Sequence, residues 1–356
     1  MEFPQLKPRE AVRKMAPYHP PSGGRSGKLR LDFNENTLGA SPKVVAKIQQ
    51  LVTADALTIY PEYSEVNPAL AKFFDVSEEE MAITNGTDEA IQLMVNAFVD
   101  AGDEVIVLTP SYAMYRFYSE VAGAKVLNLP YRPDTLKFPV EELISMIQPS
   151  TKAIFISNPN NPTGTAIKRE GLERILDKAP QAAVLVDEAY YEFCGITMLP
   201  YLNEYPNLFV SRTFSKVYGM AGLRVGCLFS AADNMAAIHK SHSPYSVNFI
   251  AAIAAKAAVE DQDYLKSYVT EVLAAREVLT AGFERIGVPY APSQANFVLA
   301  HIGPRAQEVC DQLRDSGILV RNRSYEIPGC VRITVGTREQ TRRFLAEFEP
   351  VWKAIQ

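Results

Sequence analysis

Seven short apolar runs, separated by longer stretches whose apolar residues recur at helical spacing, constrain this chain more than any other feature of it. They are Met81–Thr84, Glu104–Leu108, Lys125–Leu129, Ala153–Ser157, Ala183–Val186, Leu208–Ser211 and Arg224–Phe229. A run such as Val184-Leu185-Val186 has no polar alternation, which marks a strand buried on both faces, and helices between such strands give parallel βαβ units. The pattern predicts an α/β fold whose large domain is a mostly parallel seven-stranded sheet covered by helices. After Phe229 the texture changes to long helical segments, Asn248–Val259 and Asp263–Ile286, the second with a stripe of Leu265, Val269, Val272, Leu279 and Phe283. Strand signals at Ala295–Ala300 and Val331–Thr334 then flank a helix near Arg305–Ser316, and another helix begins near Arg338. These predict a small α+β domain. The expected division is an N-terminal arm over 1–40 that joins the small domain, a large domain over 41–260, a connecting helix over 261–285 and a small C-terminal domain over 286–356.

Composition narrows the function classes. With 47% hydrophobic and 22% charged residues the chain has the material for a large core, which excludes disorder. Its 36 basic and 41 acidic residues are scattered, so neither nucleic acid nor an anionic membrane is the expected partner. Cys194, Cys227, Cys310 and Cys330 lie far apart with no C-x-x-C pair, which fits reduced cytoplasmic thiols and neither a metal site nor a disulfide framework. The first residues hold no apolar signal segment, and no window approaches the roughly 20 apolar residues of a membrane helix. A soluble, cytoplasmic protein is expected.

Ligands of α/β sheets bind beyond the carboxyl ends of the strands, so the residues directly after each run carry the information. They read Asn85-Gly86-Thr87-Asp88, Thr109-Pro110-Ser111-Tyr112, Asn158-Pro159-Asn160-Asn161-Pro162-Thr163-Gly164, Asp187-Glu188-Ala189-Tyr190 and Thr213-Phe214-Ser215-Lys216, with Arg224 eight residues past the lysine. Gly86-Thr87-Asp88 offers exposed backbone N–H groups and a helix dipole to an anion such as a phosphate, or else simply caps a helix. Asp187, after a buried strand, needs a cation or donors; a salt bridge or a helix cap would serve it equally well. Lys216 is either a solvated surface lysine or a desolvated amine suited to a Schiff base, and Tyr112 and Tyr190 read as core aromatics when taken singly. One ligand explains all of them together. Pyridoxal 5′-phosphate requires a lysine for its aldehyde, an acid for its ring nitrogen, donors for its ring oxygen, a phosphate cradle and a stacking ring.

At these residues the sequence resembles the histidinol-phosphate aminotransferase group of the fold-type-I pyridoxal-phosphate-dependent aminotransferases, over essentially its whole length. The resemblance runs through Leu31-Asp32-Phe33-Asn34-Glu35-Asn36, Tyr60-Pro61, Pro159 to Gly164, Val186 to Phe193, Ser215-Lys216, Ala221 to Arg224 and Val331 to Thr337. It implies that Lys216 holds the cofactor covalently and serves as the base, that Asp187 pairs with the ring nitrogen, and that Asn161 and Tyr190 donate to the ring oxygen. It further implies that Tyr112 stacks on the ring and that Gly86, Thr87, Asp88, Thr213, Ser215 and Arg224 surround the phosphate. Tyr60 would reach the phosphate of a neighbouring subunit, so a homodimer with shared active sites follows. Arg332, with Arg321 as the best second match and Arg323 as its competitor, would bind the substrate's anionic end, and Tyr18 would cover the substrate. The implied reaction is transamination of L-histidinol phosphate with 2-oxoglutarate to imidazole acetol phosphate and L-glutamate, a step of histidine biosynthesis. Pro21, where the family often has glycine, and the short segment from Arg321 to Arg332 keep an aromatic (phenylalanine or tyrosine) aminotransferase open as an alternative. A pyridoxal-phosphate decarboxylase of a phosphorylated amino acid is a further one.

Overall fold

The apolar runs assemble into one sheet, seen in a computed structural model that describes residues 6–17 and 23–356. Its strands are β2 (Met81–Thr84), β3 (Glu104–Thr109), β4 (Lys125–Pro130), β5 (Thr151–Ser157), β6 (Ala183–Asp187), β7 (Leu208–Thr213) and β8 (Gly226–Ser230), in the order β2-β8-β7-β6-β5-β3-β4. The five strands from β3 to β7 are parallel, and β8 is antiparallel to both of its neighbours. The reason is local: no α-helix separates β7 from β8, so the chain turns back beside the strand it has just left. The last strand also begins later than the apolar run suggests, because Arg224 takes a left-handed φ of 55°.

Every residue of β6 is buried, and its two faces meet different partners. Val184 and Val186 pack into the cluster that holds Val272 and Leu279, whereas Leu185 packs with Ile91, Met94 and Tyr115. Each such fully buried aliphatic side chain contributes about 1.5–3 kcal/mol. The register Ser157↔Asp187↔Ser211 then brings the carboxyl ends of β5, β6 and β7 to one edge.

A second sheet of five strands has the order β1-β11-β12-β10-β9, from β1 (Leu29–Leu31), β9 (Tyr290–Ala291), β10 (Phe297–His301), β11 (Ile318–Asn322) and β12 (Cys330–Thr334). The sequence pattern indicates only β10 and β12. Leu29–Leu31 is too short to show a period and becomes a strand by pairing in parallel with Ile318–Val320. Earlier in the arm, the helix Glu10–Lys14 lies beside the helix Ala113–Ala122 of the larger sheet, with Ala11 approaching Gly123.

The helix Gln262–Ile286 spans 25 residues and buries Tyr268, Val272, Ala275, Leu279 and Phe283. Its C-terminal half meets the helix Arg338–Ile355 through Phe283, Phe344 and Phe348. Leu265 and Val269, part of the expected stripe, remain half-buried because they border an open cavity. Among the described residues no helix is long and apolar enough to cross a membrane, and no cluster of side chains is suited to a metal ion.

Asn36 ties the N-terminal segment to the larger sheet: its amide donates to Val217 O (2.8 Å) and its carbonyl accepts from Leu38 N (2.8 Å) and Gly39 N (3.0 Å). Asn36→Ala leaves three backbone groups without these partners, and denaturant unfolding is expected to show a loss of about 2–4 kcal/mol.

Candidate active site

Asp187 ends β6 and is 3% exposed. The Tyr115 hydroxyl donates to Oδ2 at 2.7 Å and the Ser211 hydroxyl to Oδ1 at 3.0 Å. Burial pushes the carboxyl up to about 6, and the two hydroxyls with the Ala189 N–H pull it partly back. No basic side chain pairs with it among the described residues, so a carboxyl at a strand end faces a cavity without a cation.

Lys216 stands three residues after β7, in the tight turn that follows Thr213, where the Ser215 N–H donates to Thr213 Oγ1 at 3.1 Å. Its amine donates to the Phe33 carbonyl at 3.0 Å. Enclosure lowers it from 10.5 to about 8; the charges of Arg332 and Arg224 push the same way, against Glu35 and Asp187. Near neutral pH a useful fraction is therefore the nucleophilic free amine. Tyr190 lies beside it, buried, its hydroxyl accepting from Asn34 Nδ2 at 2.9 Å.

The anion end of the cavity is built on the helix Gly86–Phe98. This helix starts at Gly86, so its first-turn N–H groups have no partner within the helix. Thr87 Oγ1 is buried with no hydrogen-bond partner. Gly86 has φ of 72°, and a Cβ there would lie 2.6 Å from Arg224 Nη2, so only glycine lets the guanidinium close over the helix end. The Asp88 side chain is itself occupied. Its carboxylate accepts from the Tyr112 hydroxyl (2.6 Å) and pairs with Arg224 (3.1 Å), so an anion meets only its backbone N–H.

Thr87, Asp88, Tyr112, Asn161, Asp187, Tyr190, Thr213, Ser215, Lys216 and Arg224 all border one cavity of about 220 Å³. Arg332, on β12, reaches its edge: one Nη donates to Asn161 Oδ1, the other to Asp32 O at 2.7 Å, and Nε has no partner. Burial lowers this guanidinium to about 10, with the positive charges of Arg323 and Arg321 adding to the effect. Arg321 sits directly opposite Arg332 in the β11–β12 ladder but borders a neighbouring cavity with Asp32 and Tyr325. Arg323 is neutralised by Glu326, which leaves Arg321 as the second cation. Tyr60 is 73% exposed, packs against Tyr245 with ring centroids 4.7 Å apart and planes tilted by 34°, and stands outside the cavity. Tyr18 lies outside the described residues.

Three contributors escape sequence reasoning. Tyr115 follows Tyr112 at helical spacing, and that offset is the only signal that it shares the site. Asn34 has a left-handed φ of 57° and is held by Thr334 Oγ1 (2.9 Å) and Asn296 Nδ2 (3.1 Å). Phe33 supplies the lysine's acceptor and borders the cavity.

The model of the family described as aminotransferase class I and II matches residues 26–348. The chain belongs to this family. Among its relatives, the histidinol-phosphate aminotransferase of Symbiobacterium thermophilum is 36% identical over 95% of this chain and 96% of its own length. That of Dehalococcoides mccartyi is 39% identical over 88% and 87%. A crystal structure of histidinol-phosphate aminotransferase from Sinorhizobium meliloti in complex with pyridoxal-5′-phosphate superposes with a TM-score of 0.87 at 26% identity, covering 100% of this chain and 99% of that one.

If enclosure and the two arginines set the lysine's basicity, capture of an aromatic aldehyde by the cofactor-free protein rises with pH through a midpoint near 8, not 10.5. Stopped-flow absorbance reads this, and Arg332→Gln, by removing one cation, moves the midpoint upward.

Proposed function

We propose that this chain transfers the amino group of L-histidinol phosphate to 2-oxoglutarate, giving imidazole acetol phosphate and L-glutamate, with pyridoxal 5′-phosphate as carrier. The observation that carries the reading is the single cavity bordered by the free Lys216 amine, the uncompensated Asp187 carboxyl and an anion cradle. The residues fit the cofactor: the unpartnered Thr87 hydroxyl, the first-turn N–H groups and Arg224 suit its phosphate, and Asp187 suits its ring nitrogen. When bound, the cofactor supplies an aldehyde that captures amines and a protonated ring that accepts electron density.

The chain's own groups do the rest. Arg332 and Arg321 hold the anionic end of the substrate, a task for which two facing guanidiniums suit a phosphate dianion. Asn161 accepts from Arg332, which leaves its amide N–H groups to orient the ring oxygen, so one residue joins the substrate and cofactor ends. Lys216 Nζ takes the proton from the amino-bearing carbon, and burial, aided by Arg332 and Arg224, keeps that amine from holding a proton permanently. Tyr190 would donate to the ring oxygen, and the Tyr112 ring would lie against the cofactor. The names carried by the relatives, together with this pair of arginines, support histidinol phosphate over an aromatic amino acid.

The working unit in this reading is a cytoplasmic homodimer. Tyr60, exposed and outside its own chain's cavity, is free to serve the neighbour's phosphate site, and the four cysteines are all unpaired thiols.

A single-turnover screen of histidinol phosphate, phenylalanine, tyrosine and phosphothreonine, following loss of the cofactor's aldehyde absorbance, is expected to give the fastest conversion with histidinol phosphate. Preference for phenylalanine overturns the substrate assignment, and carbon dioxide release shows a decarboxylase. Arg332→Gln is expected to raise KM for donor and acceptor together, each by about 30-fold for a loss of about 2 kcal/mol, because both use one anion site. A change confined to the donor contradicts the shared site.

A further inference from the structure

Three arginines converge at the anion end, and the reaction as proposed uses two of them. Arg321 opposes Arg332 across the β11–β12 ladder, and the Arg323 N–H donates to Cys330 O at 2.9 Å, which carries the pairing one residue past Asn322. Residues opposite each other, or two apart on one strand, share a face, so Arg321, Arg323 and Arg332 stand on the same side of this ribbon. Like charges so placed repel, and burial deepens the cost. Arg332 is 5% exposed and Arg323 8%, and the Nε of each is buried with no hydrogen-bond partner. The charge of Arg323 acts on Arg332 and also on Tyr190, which borders the candidate active site, so the third guanidinium belongs to the same end.

The other charges around this end cancel. Asp32 and Glu35 are held by Arg25 and Arg30. The cavity beside Arg321 adds Asp311 and Arg314, one of each sign, and Arg224 at the opposite end pairs with Asp88. Lys216 is committed to the cofactor in the proposed reaction. What remains is Glu326, which pairs with Arg323 and also feels the charges of Arg332 and Arg321. One carboxylate among three guanidiniums leaves an excess of two positive charges, which matches one phosphate monoester dianion.

Glu326 is also placed to leave. Its backbone N–H and that of Ile327 both donate to Arg323 O at 2.9 Å, so the turn is fixed by main-chain bonds and the side chain can swing without opening it. Burial raises this acid in spite of the three arginines, which means that its charged form is poorly stabilised where it sits. It also borders a cavity of about 630 Å³ shared with Tyr112, His301 and Arg116, of which the arginine is already paired with Glu120. We propose that Glu326 is an internal counter-ion, which occupies Arg323 while the anion site is empty and gives it up to the substrate's phosphate. The inference rests on the reading that Arg332 and Arg321 receive the substrate's anionic end. A single carboxylate offered in exchange compensates one charge, whereas a phosphate dianion compensates both and brings three oxygens to three guanidiniums.

Isothermal titration of the cofactor-loaded protein with methyl phosphate, doubly charged at about pH 8, tests this. Glu326→Gln should bind it about tenfold or more tighter than the wild type, because one charge-assisted contact no longer has to be given up. Adding Arg323→Gln should erase that gain. Glu326→Asp, which keeps the charge but draws it back from Arg323, should show part of the gain and serves if Glu326→Gln does not fold. A residue that only shapes the turn would, when replaced, weaken binding or leave it unchanged; that result overturns the proposal, as does a gain that survives Arg323→Gln. Arg332→Gln separates the two readings, since it should weaken binding whether or not Glu326 is present. If it does not, the anion end lies elsewhere and both readings fall. If it does while neither Glu326 variant tightens binding, the substrate reading stands and the counter-ion is overturned.

Discussion

Asp187 closes β6 with both carboxylate oxygens held by hydroxyls, from Tyr115 and Ser211, and with no cation against it. Water is largely excluded there, which is why burial raises this acid to about 6. Such a position is expensive in an isolated protein and becomes favourable when a cationic ring nitrogen arrives. Lys216 is its counterpart: enclosed, beneath two arginines, and lowered to about 8. An acid pushed up and an amine pushed down in one cavity are what nucleophilic chemistry on an electron-accepting ring requires. The parallel register of β5, β6 and β7 holds the acid in place, because a slip of one residue would turn Asp187 to the other face.

The site also depends on a segment distant in sequence. Asp32, Phe33, Asn34 and Asn36 give their backbone or side chains to Arg332, Lys216, Tyr190 and Val217, respectively. The strand Leu29–Leu31 just before them belongs to the second sheet, so a few consecutive residues join that sheet to Lys216. Arg332 extends the link through Asn161, one amide that meets both this arginine and the cavity beside Lys216.

Much of this was legible in the sequence for a physical reason. Strands buried on both faces must be continuous in apolar residues, and ligands of such sheets gather at strand ends, so Asp187, Lys216 and Gly86 could be named in advance. What escaped depends on pairing across the chain. Tyr115 and Asn34 act through single hydrogen bonds to residues 72 and 156 positions away, which no local pattern records. Where the Asp88 carboxylate turns is likewise invisible in the sequence, because only its pairing with Arg224 across the chain shows it. The ion pair with Glu326 that sets Arg323 apart from Arg321 is also seen only in the structure. The half-buried Leu265 and Val269 look like ordinary core positions in a helical stripe, and only the cavity beside them says otherwise.

If Asp187 keeps a ring nitrogen protonated, nitrogen-15 NMR of protein loaded with ring-labelled pyridoxal 5′-phosphate detects the proton. The account predicts the chemical shift of a protonated ring nitrogen in the wild type and of an unprotonated one in Asp187→Asn, with the cofactor bound in both. The same shift in the two proteins would contradict it.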